Sequence, residues 1–429
     1  MNASRRLFPA LGLAIALAVM AASSDLEFPG RAIRFTGAAL VAGFLFWLAV
    51  GRFDGSSRAL WIGAIVFRVV MLFAQPSDDT WRYLWEGRVQ VAGFNPYVEG
   101  PLSPRLEPLR DATWEMVNHK EFTAAYPPGA QLLFRSLAMA GAANPLAWKV
   151  LITLADLAVV GLLVAWAGAP RAVWYAWNPL PIFAFAGAAH FDVLMVLPLV
   201  GSAMLLDRGL RADSGRLLAS SSLLLGLSIA IKAVPVVLVP VWLFALGWRR
   251  AALLAPALLP LPLLALIYGW PGVDIFASAR EFARVARTND AVWWLTELFV
   301  WPNSAQKNDV YQLVVAAACG GLAVAFRRDW QRGTLWVLGA VQLLSPVFHP
   351  WYLTWILPFA ALGGTRSRGW MVLSVTIFFY FLLWTLSLPW HQPTWLRLAI
   401  FLPPLLYWAA TRVTGLSGPP LSTTRTNDL

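Results

Sequence analysis

Long apolar runs constrain this chain more than any other feature of its sequence. They recur along residues 7–412, separated by short charged clusters and Pro/Gly breaks. With 59% hydrophobic and 13% charged residues, a soluble domain of 429 residues could not bury so much apolar surface. Runs close to the length of a bilayer span therefore predict an all-α polytopic membrane protein with roughly 11–14 transmembrane helices.

Arginine clusters predict how these helices are oriented. Cytoplasmic loops collect Lys and Arg, so the arginine pair near the N-terminus and the similar clusters after alternate spans are expected inside the cell. The two longest polar segments, 76–127 and 270–309, then lie outside. Residues 1–414 are predicted to form one transmembrane domain, and residues 415–429 a polar cytoplasmic tail.

The basic balance of the chain fits this topology and excludes other functions. The net charge of +11 comes from scattered clusters that form no basic face, so nucleic-acid binding is not expected. The single cysteine, Cys319, has no partner for an internal disulfide. No cluster of metal-ligand residues demands a metal, and a divalent cation is left open as a cofactor.

One apolar segment, residues 172–206, is too long for a single helix. The sequences "NPLP" (178–181) and "GAAHFD" (187–192) predict breaks in it. Irregular backbone at membrane depth is tolerated where protein buries it or where it lines a cavity. His190 and Asp192, at the second break, are therefore predicted to contact substrate, against the alternative of a structural pair in which each satisfies the other.

The segment "SDDTWRYLWEGRVQVAGFNPY", residues 77–97, gathers acidic and basic residues between apolar runs. Its apolar residues recur at helical spacing, which predicts a short amphipathic helix at the membrane interface. Asp78, Arg82 and Glu86 fall on one stripe of this helix. A second short interfacial helix is predicted within "RDATWEMVNHKEF", residues 110–122, in the same extracytoplasmic loop.

Asp78 and Asp79 allow two interpretations. Acids at a helix start can simply cap the helix and face water. Alternatively, adjacent carboxylates repel each other and raise one pKa, while Arg82 one turn further lowers it again. Such tuning suits a general base that removes a proton from a hydroxyl group.

Three stretches of the sequence resemble one enzyme family. "SDDTWRYLWEGRVQVAGFNPY", "NHKEFTAAYPPGAQLLF" and "SPVFHPWYLTWILPF" are similar to the bacterial GT-C glycosyltransferases of family 87 and the mannosyltransferase-like group. The resemblance implies a polytopic GT-C enzyme with a catalytic acid in its first large extracytoplasmic loop. Asp78 and Asp79 match that position, so Asp79 is predicted to be the base and Asp78 its partner.

The resemblance also implies an activity and its partners. It points to an inverting glycosyltransferase that moves a sugar, mannose by the family's pattern, from a polyprenyl-phosphate donor to a hydroxyl of a lipid or glycan acceptor. Membrane lipids would surround it, and the active site would lie on the extracytoplasmic face of the bacterial cytoplasmic (inner) membrane. A polytopic transporter or a lipid-linked sugar flippase is the alternative, because broken helices and buried charges serve transport equally well.

A phosphate leaving group needs cations and hydrogen-bond donors rather than a general acid. Residues predicted to bind the donor phosphate are Arg82, Arg88, Lys232 and His349. Residues predicted to contact substrate are Glu86, Asn95, Tyr97, Tyr126, His190, Asp192 and Tyr352. The alternatives are that Lys232 snorkels to the interface, that His349 caps a helix break, and that Asn95, Tyr97 and Tyr126 are structural.

Overall fold

Helices build nearly all of the described chain. The computed structural model describes residues 3–295, 305–386 and 392–413. Within those ranges the only extended pairing is a parallel β-bridge between Thr288 and Val347. The predicted all-α class is confirmed.

The α-helices follow one another closely along the chain. In order they are α1 (Ala3–Ala22), α2 (Pro29–Gly51), α3 (Ser57–Met71), α4 (Asp78–Val91), α5 (Ala112–Glu115), α6 (Pro128–Met139), α7 (Pro145–Ala167), α8 (Ala169–Ala176), α9 (Pro179–Pro181), α10 (Asp192–Arg211), α11 (Gly215–Ile231), α12 (Val239–Leu246), α13 (Pro260–Leu266), α14 (Ala277–Val285), α15 (Ala305–Ala325), α16 (Trp330–Leu344), α17 (Leu357–Leu362), α18 (Arg368–Thr376) and α19 (Thr394–Val413). A π-helical turn lies at Ile182–Gly187, and 3₁₀ segments lie at Pro104–Leu109, Val234–Leu238, Trp248–Leu258, Pro350–Trp355, Thr365–Ser367 and Ile377–Thr385.

Six helical stretches among the described residues are long and apolar enough to cross a membrane. They are Pro29–Gly51, Pro145–Ala167, Asp192–Arg211, Trp248–Leu266, Asn308–Ala325 and Arg368–Thr385. Large apolar side chains such as Phe44 and Leu313 are exposed on them, which suits lipid rather than water. The chain is a multi-pass membrane protein, and the larger count of 11–14 spans stays a prediction.

The chain divides into two compact units. The first unit comprises Met1–Ala74, Leu163–Ile182 and Leu353–Leu429, and the second comprises Gln75–Leu162 and Phe183–Tyr352. Every residue predicted to act in the site belongs to the second unit. The predicted single domain over 1–414 stays a prediction, and the tail 415–429 lies outside the described residues.

Buried aromatic and polar contacts hold the first unit together. Phe35 packs edge-on against Phe381 with ring centroids 5.0 Å apart. The guanidinium of Arg68 is buried and donates to the carbonyl oxygens of Ala64 and Ala176, 3.0 and 2.8 Å away. A charge inside the unit is therefore held by backbone dipoles as well as by packing.

Helix α4 of the second unit forms where the sequence predicts it. Its acids occupy the first turn and Arg88 the last, which complements the helix dipole. Gly93 follows at φ +87°, a backbone conformation that favours glycine and stops the helix. The polar stripe differs from a simple interfacial helix, because Arg82 and Glu86 are only 4% and 3% exposed.

The long segment after α4 explains this burial. This segment packs along α4, and its residues Leu106 and Val117 form a buried cluster with Trp85 and Val89 of the helix. Of the second predicted interfacial helix, residues 110–122, only the single turn α5 is helical. The segment is therefore packed against α4 and does not form a separate surface helix.

Both predicted breaks in 172–206 are confirmed. At the first break, α8 ends at Ala176, and the Asn178 side chain accepts from the backbone of Leu180 to start the next turn. At the second, the π-helical turn ends at Gly187 and α10 begins only at Asp192. Between them Ala189 adopts φ +63°, which is uncommon for a residue with a Cβ.

Helix α4 approaches α6 very closely at Gly87. A Cβ on Gly87 would lie 2.4 Å from the backbone oxygen of Phe134, which cannot rotate away. The Gly87→Ala variant should therefore push the helices apart and lower the free energy of unfolding by about 1–3 kcal/mol. Thermal unfolding of the detergent-solubilised protein measures this loss.

A matched glycine provides the control. Gly320 lies within α15, and a Cβ there meets nothing within 4 Å. Gly320→Ala should leave the unfolding midpoint unchanged or raise it, because alanine favours helix. Equal midpoints for Gly87→Ala and the unmodified protein would show that the two helices are not locked at this point.

Candidate active site

The two acids stand at the first turn of α4 and share one hydrogen-bond donor. Asn118 donates from Nδ2 to Asp78 Oδ2 at 3.1 Å and to Asp79 Oδ1 at 2.8 Å. On its other side, Asp79 Oδ2 lies 3.5 Å from His190 Nδ1. The acids are therefore neither simple caps nor free in water, since their side chains meet residues from two distant segments.

The second helix break anchors this arrangement. The carbonyl oxygen of Ala188 accepts from Ser77 N at 2.9 Å and from Thr80 Oγ1 at 3.3 Å. The next carbonyl, of Ala189, accepts from Trp148 Nε1 at 2.8 Å. The break thus frees backbone acceptors that hold the start of α4 and bring His190 to Asp79.

The two carboxylates differ in their electrostatic surroundings. Loss of solvation and the charge of Asp79 raise the pKa of Asp78. Burial alone would also raise the pKa of Asp79, but the contact with His190 and the hydrogen bond from Asn118 outweigh it, so this pKa is lowered. Asp79 is therefore the acid that stays a carboxylate down to the lower pH.

Trp351 lies between His190 and His349, the other histidine predicted to act in the site. Its ring stacks on His190 with centroids 3.8 Å apart and on His349 with centroids 4.4 Å apart. Burial lowers the pKa of His349 to about 3, so its imidazole is neutral at physiological pH. Tyr352 packs edge-on against His349, which brings this predicted substrate residue to the same cluster.

A segment of the second long loop holds His349 in place. Phe348 N donates to the carbonyl oxygen of Thr288 at 2.9 Å, and Asn289 Nδ2 donates to the carbonyl oxygen of Phe348 at 2.9 Å. The β-bridge of the fold is therefore a support for the histidine. Residues 296–304 of the predicted loop 270–309 lie outside the described residues.

Lys232 points into the protein at the end of α11. Its Nζ lies 2.6 Å from Oδ1 of the buried Asp192, and its ammonium lies 5.0 and 4.6 Å from the ring centroids of Phe191 and Tyr352. This pairing gives Asp192 a counter-ion and differs from snorkelling. Lys232 and Asp192 are thus brought to the same side of the site as Tyr352.

Arg82, predicted to bind the donor phosphate, contacts only protein groups in the part of the chain that the structure describes. Its Nε donates to Glu86, Nη1 donates to the carbonyl oxygens of Asn118 and His119, and Nη2 to those of Phe122 and Thr123. All five N–H donors of a guanidinium are used in these bonds. The geometry therefore favours a role in fixing the segment that carries Asn118.

Glu86, predicted to contact substrate, completes a buried polar network. Gln131 donates to Glu86 Oε2, Gln90 donates to Gln131 Oε1 at 3.0 Å, and Tyr268 donates to Gln90 Oε1 at 2.8 Å. Burial raises the pKa of Glu86, while Arg82 and Gln131 oppose that shift. The carboxyl group thus faces protein partners on both oxygens.

The other predicted residues make contacts of their own. Arg88 pairs with Asp111 at 2.9 Å. Asn95 donates to the carbonyl oxygen of Tyr268, and Tyr97 donates to that of Tyr126 at 2.6 Å. These hydrogen bonds favour the structural alternative for Asn95 and Tyr97, and the structure does not link Arg88 to the acid pair.

Tyr126 lies in an aromatic cluster that interacts with the charge of Asp79. Its ring meets Tyr83 and Phe191 at centroid distances of 5.5 and 4.8 Å. Burial, followed by the charge of Asp79, raises the pKa of both tyrosines well above its usual value. They are therefore neutral hydroxyl groups close enough to feel the carboxylate.

The sequence did not predict two residues that contact the acids and the histidines, Asn118 and Trp351. Asn118 lies in "NHKEF" and Trp351 in "FHPWY", and neither motif predicts a role for these two residues. Among the residues that the structure covers, no group of three or more His, Cys, Asp or Glu side chains could hold a metal ion. The divalent cation left open as a cofactor stays a hypothesis.

Comparison with known proteins places this arrangement in a family context. A family model described as alpha-(1->6)-mannopyranosyltransferase, N-terminal domain, matches residues 11–248. Alpha-(1->6)-mannopyranosyltransferase A of Mycobacterium tuberculosis is 26% identical to the chain, over 74% of this chain and 68% of that protein. No solved structure matches. The matched range contains the acid pair, His190 and Lys232, whereas His349 and Trp351 follow it.

The buried pair of Arg82 and Glu86 predicts a large stability effect. In Arg82→Met, Glu86 loses its cation and four carbonyl groups lose a donor, so the free energy of unfolding should fall by about 3–5 kcal/mol. Arg82→Met combined with Glu86→Leu should cost less, because no unpaired charge is left. Thermal unfolding in detergent and protease cleavage within 118–123 measure both variants.

An exposed arginine in the same segment serves as the control. Arg105 pairs with Glu99 but is 69% exposed, so Arg105→Met should change the free energy of unfolding by only about 0–1 kcal/mol. If Arg82→Met were no less stable than Arg105→Met, the guanidinium could not be what fixes this segment.

Proposed function

The chain belongs to the alpha-(1->6)-mannopyranosyltransferase family, whose model covers more than half of it, and we propose that it transfers mannose from a polyprenyl-phosphate donor to a hydroxyl of a lipid or glycan. Membership makes it a membrane glycosyltransferase, and it favours an enzyme over the transporter or flippase considered as the alternative. The donor, the inverting course, the base and the extracytoplasmic face are parts of the proposal.

The acid pair beside His190 is the observation that carries this proposal. Asp79 is a carboxylate held between Asn118 and His190, in the first turn of α4. A transferase with a phosphate leaving group needs one base for the attacking hydroxyl and no acid for the departing group. The site supplies a base of this kind.

The reaction balances with these groups. The acceptor oxygen forms a bond to the anomeric carbon as the bond from that carbon to the phosphate oxygen breaks. The electron pair leaves with the polyprenyl phosphate, and the hydroxyl proton passes to Asp79. Because the pKa of Asp79 is lowered, it is a weak base, and it takes the proton once the acceptor oxygen has begun to bond to the anomeric carbon and its hydroxyl has become acidic.

A cationic and a neutral side chain that both contact Tyr352 suit the leaving phosphate. Lys232 supplies a charge beside Tyr352, and His349 supplies a neutral imidazole. A charge near the departing oxygen stabilises the transition state more than the ground state. Arg88 stays a predicted phosphate ligand, whereas the bonds of Arg82 favour its structural role.

Stereochemistry tests the donor and the course of the reaction together. An inverting displacement that forms an alpha linkage requires a beta-linked donor. Purified protein should release polyprenyl phosphate from beta-linked polyprenyl-phosphate mannose and form an alpha-linked product, with no transfer from nucleotide-linked mannose. Mass spectrometry and NMR of the product measure this, and transfer from the nucleotide donor alone would overturn the proposed donor.

Substitution of the acids tests the base. Asp79→Asn should lower kcat by about 10²–10⁴-fold, because proton removal in the transition state is lost, and Asp78→Asn should lower it less. Asp274→Asn is the control, because Asp274 is an exposed acid of the second long loop that pairs with Arg280. Full activity in Asp79→Asn would refute its role as base, and a larger loss in Asp78→Asn would reverse the two roles.

A further inference from the structure

We propose that Asn118 has two roles in sugar transfer: its amide nitrogen positions the two carboxylates, and its amide oxygen accepts a hydrogen bond from a sugar hydroxyl. The inference rests on the proposed function, because the acids must act as described for their positioning to matter. Asn118 thereby becomes both a positioning residue and a substrate contact.

The first role follows from the geometry of one amide between two acids. Side chains of consecutive helical residues point about 100° apart, and like charges repel, so Asp78 and Asp79 have no reason of their own to converge. The Asn118 NH₂ group carries two hydrogens and lies 3.1 and 2.8 Å from the two carboxylates. One residue therefore fixes both side chains.

The backbone of Asn118 is held firmly enough for this task. Its carbonyl oxygen and that of His119 accept from Arg82 Nη1 at 3.0 and 2.8 Å. Arg82 is in turn fixed by Glu86, one turn along the helix that carries the acids. The backbone of Asn118 is thus held by Arg82 of α4. A substitution of the Asn118 side chain leaves these backbone hydrogen bonds intact.

The second role follows from an unsatisfied atom. Asn118 Oδ1 is buried, and no hydrogen-bond partner reaches it in the part of the chain that the structure describes. The two carboxylates require the NH₂ group to face them, so the amide cannot be turned to hide this oxygen. Ser77 Oγ, in the residue just before the acids, is likewise buried without a hydrogen-bond partner.

Buried polar atoms in proteins are nearly always hydrogen-bonded. Two such acceptors beside a pair of acids indicate a ligand that carries hydroxyl groups, which is the chemistry of a sugar. The hydroxyl can come from the mannosyl donor or from the acceptor. Since both substrates meet at Asp79, either source places a hydroxyl next to Asn118, and the experiment below distinguishes them.

Loss of the amide should move the acid limb of the pH–rate profile upward. Its hydrogen bonds favour the charged acids and so lower their pKa; without them the pKa of Asp79 rises, and the carboxylate is lost at a higher pH during acidification. Other titratable groups whose charge interacts with Asp79 are Asp78, Tyr83, Glu86, Tyr126, His190 and His349. The midpoint of the acid limb is therefore an apparent pKa of the coupled acid pair and not of Asp79 alone.

Two near-isosteric variants separate the two roles. Asn118→Leu removes both the nitrogen and the oxygen, whereas Asn118→Asp keeps an oxygen acceptor and replaces the donor with a third carboxylate. We expect Asn118→Leu to raise the KM of one substrate by about 2–10-fold, the effect of one hydrogen bond, and to shift the acid limb upward. Asn118→Asp should keep that KM near the original value, lower kcat further and shift the limb more.

The substrate whose KM rises in Asn118→Leu is the one that supplies the hydroxyl. An analogue of that substrate without this hydroxyl should have the same KM for Asn118→Leu and for the original protein. Gln312→Leu provides the control, since Gln312 is an exposed amide in α15. Thermal unfolding in detergent confirms that every variant is folded. Asn118→Asp keeps the size and polarity of the side chain and decides the positioning role if Asn118→Leu is unstable.

Each outcome has a distinct meaning. Unchanged acid limbs in both variants would overturn the positioning role, and an unchanged KM for both substrates in Asn118→Leu would overturn the sugar contact. If Asp79→Asn is inactive while both Asn118 variants behave like the original protein, this inference fails and the proposed function stands. If Asp79→Asn is fully active, the proposed base fails first.

Discussion

The buried guanidinium of Arg82 is the group on which the rest of the site depends. It holds one carboxylate and four backbone carbonyl groups at once, which a planar group with five donors can do and a lysine ammonium cannot. The long polar segment after α4 is therefore part of the surface of that helix. The cost of burying a charge is offset because every donor is paired.

Asp78 and Asp79 are chemically identical neighbours, but their surroundings make their pKa values unequal. Asp79 faces His190 and its charge acts on Tyr83 and Tyr126, while Asp78 is the more exposed and meets the charge of its neighbour. A single site thus contains one acid whose pKa is lowered and one whose pKa is raised. Such a division supports a specific base and its partner, a distinction that adjacency in the sequence leaves open.

Local patterns in the sequence predicted the elements but only part of the site. Helix α4 and the break at 187–192 were predictable, because helical periodicity, proline and glycine act over a few residues. The burial of Arg82 was not, because its partners are backbone carbonyls whose position depends on a distant fold. The contacts of Asn118 and Trp351 were missed for the same reason: an amide and an indole are common side chains, and only the fold brings them to the acids and to His190.

The anchor at Ala188 has a consequence for how the protein is made. The residues joined by the bond from Thr80 Oγ1 to this carbonyl are 108 positions apart, so α4 leaves the ribosome long before its anchor exists. The growing chain must insert α7 and reach the start of α10 before the acids can be set against His190. The candidate site is thus completed late in membrane insertion, and a chain truncated before the break would lack both His190 and the carbonyl that anchors α4.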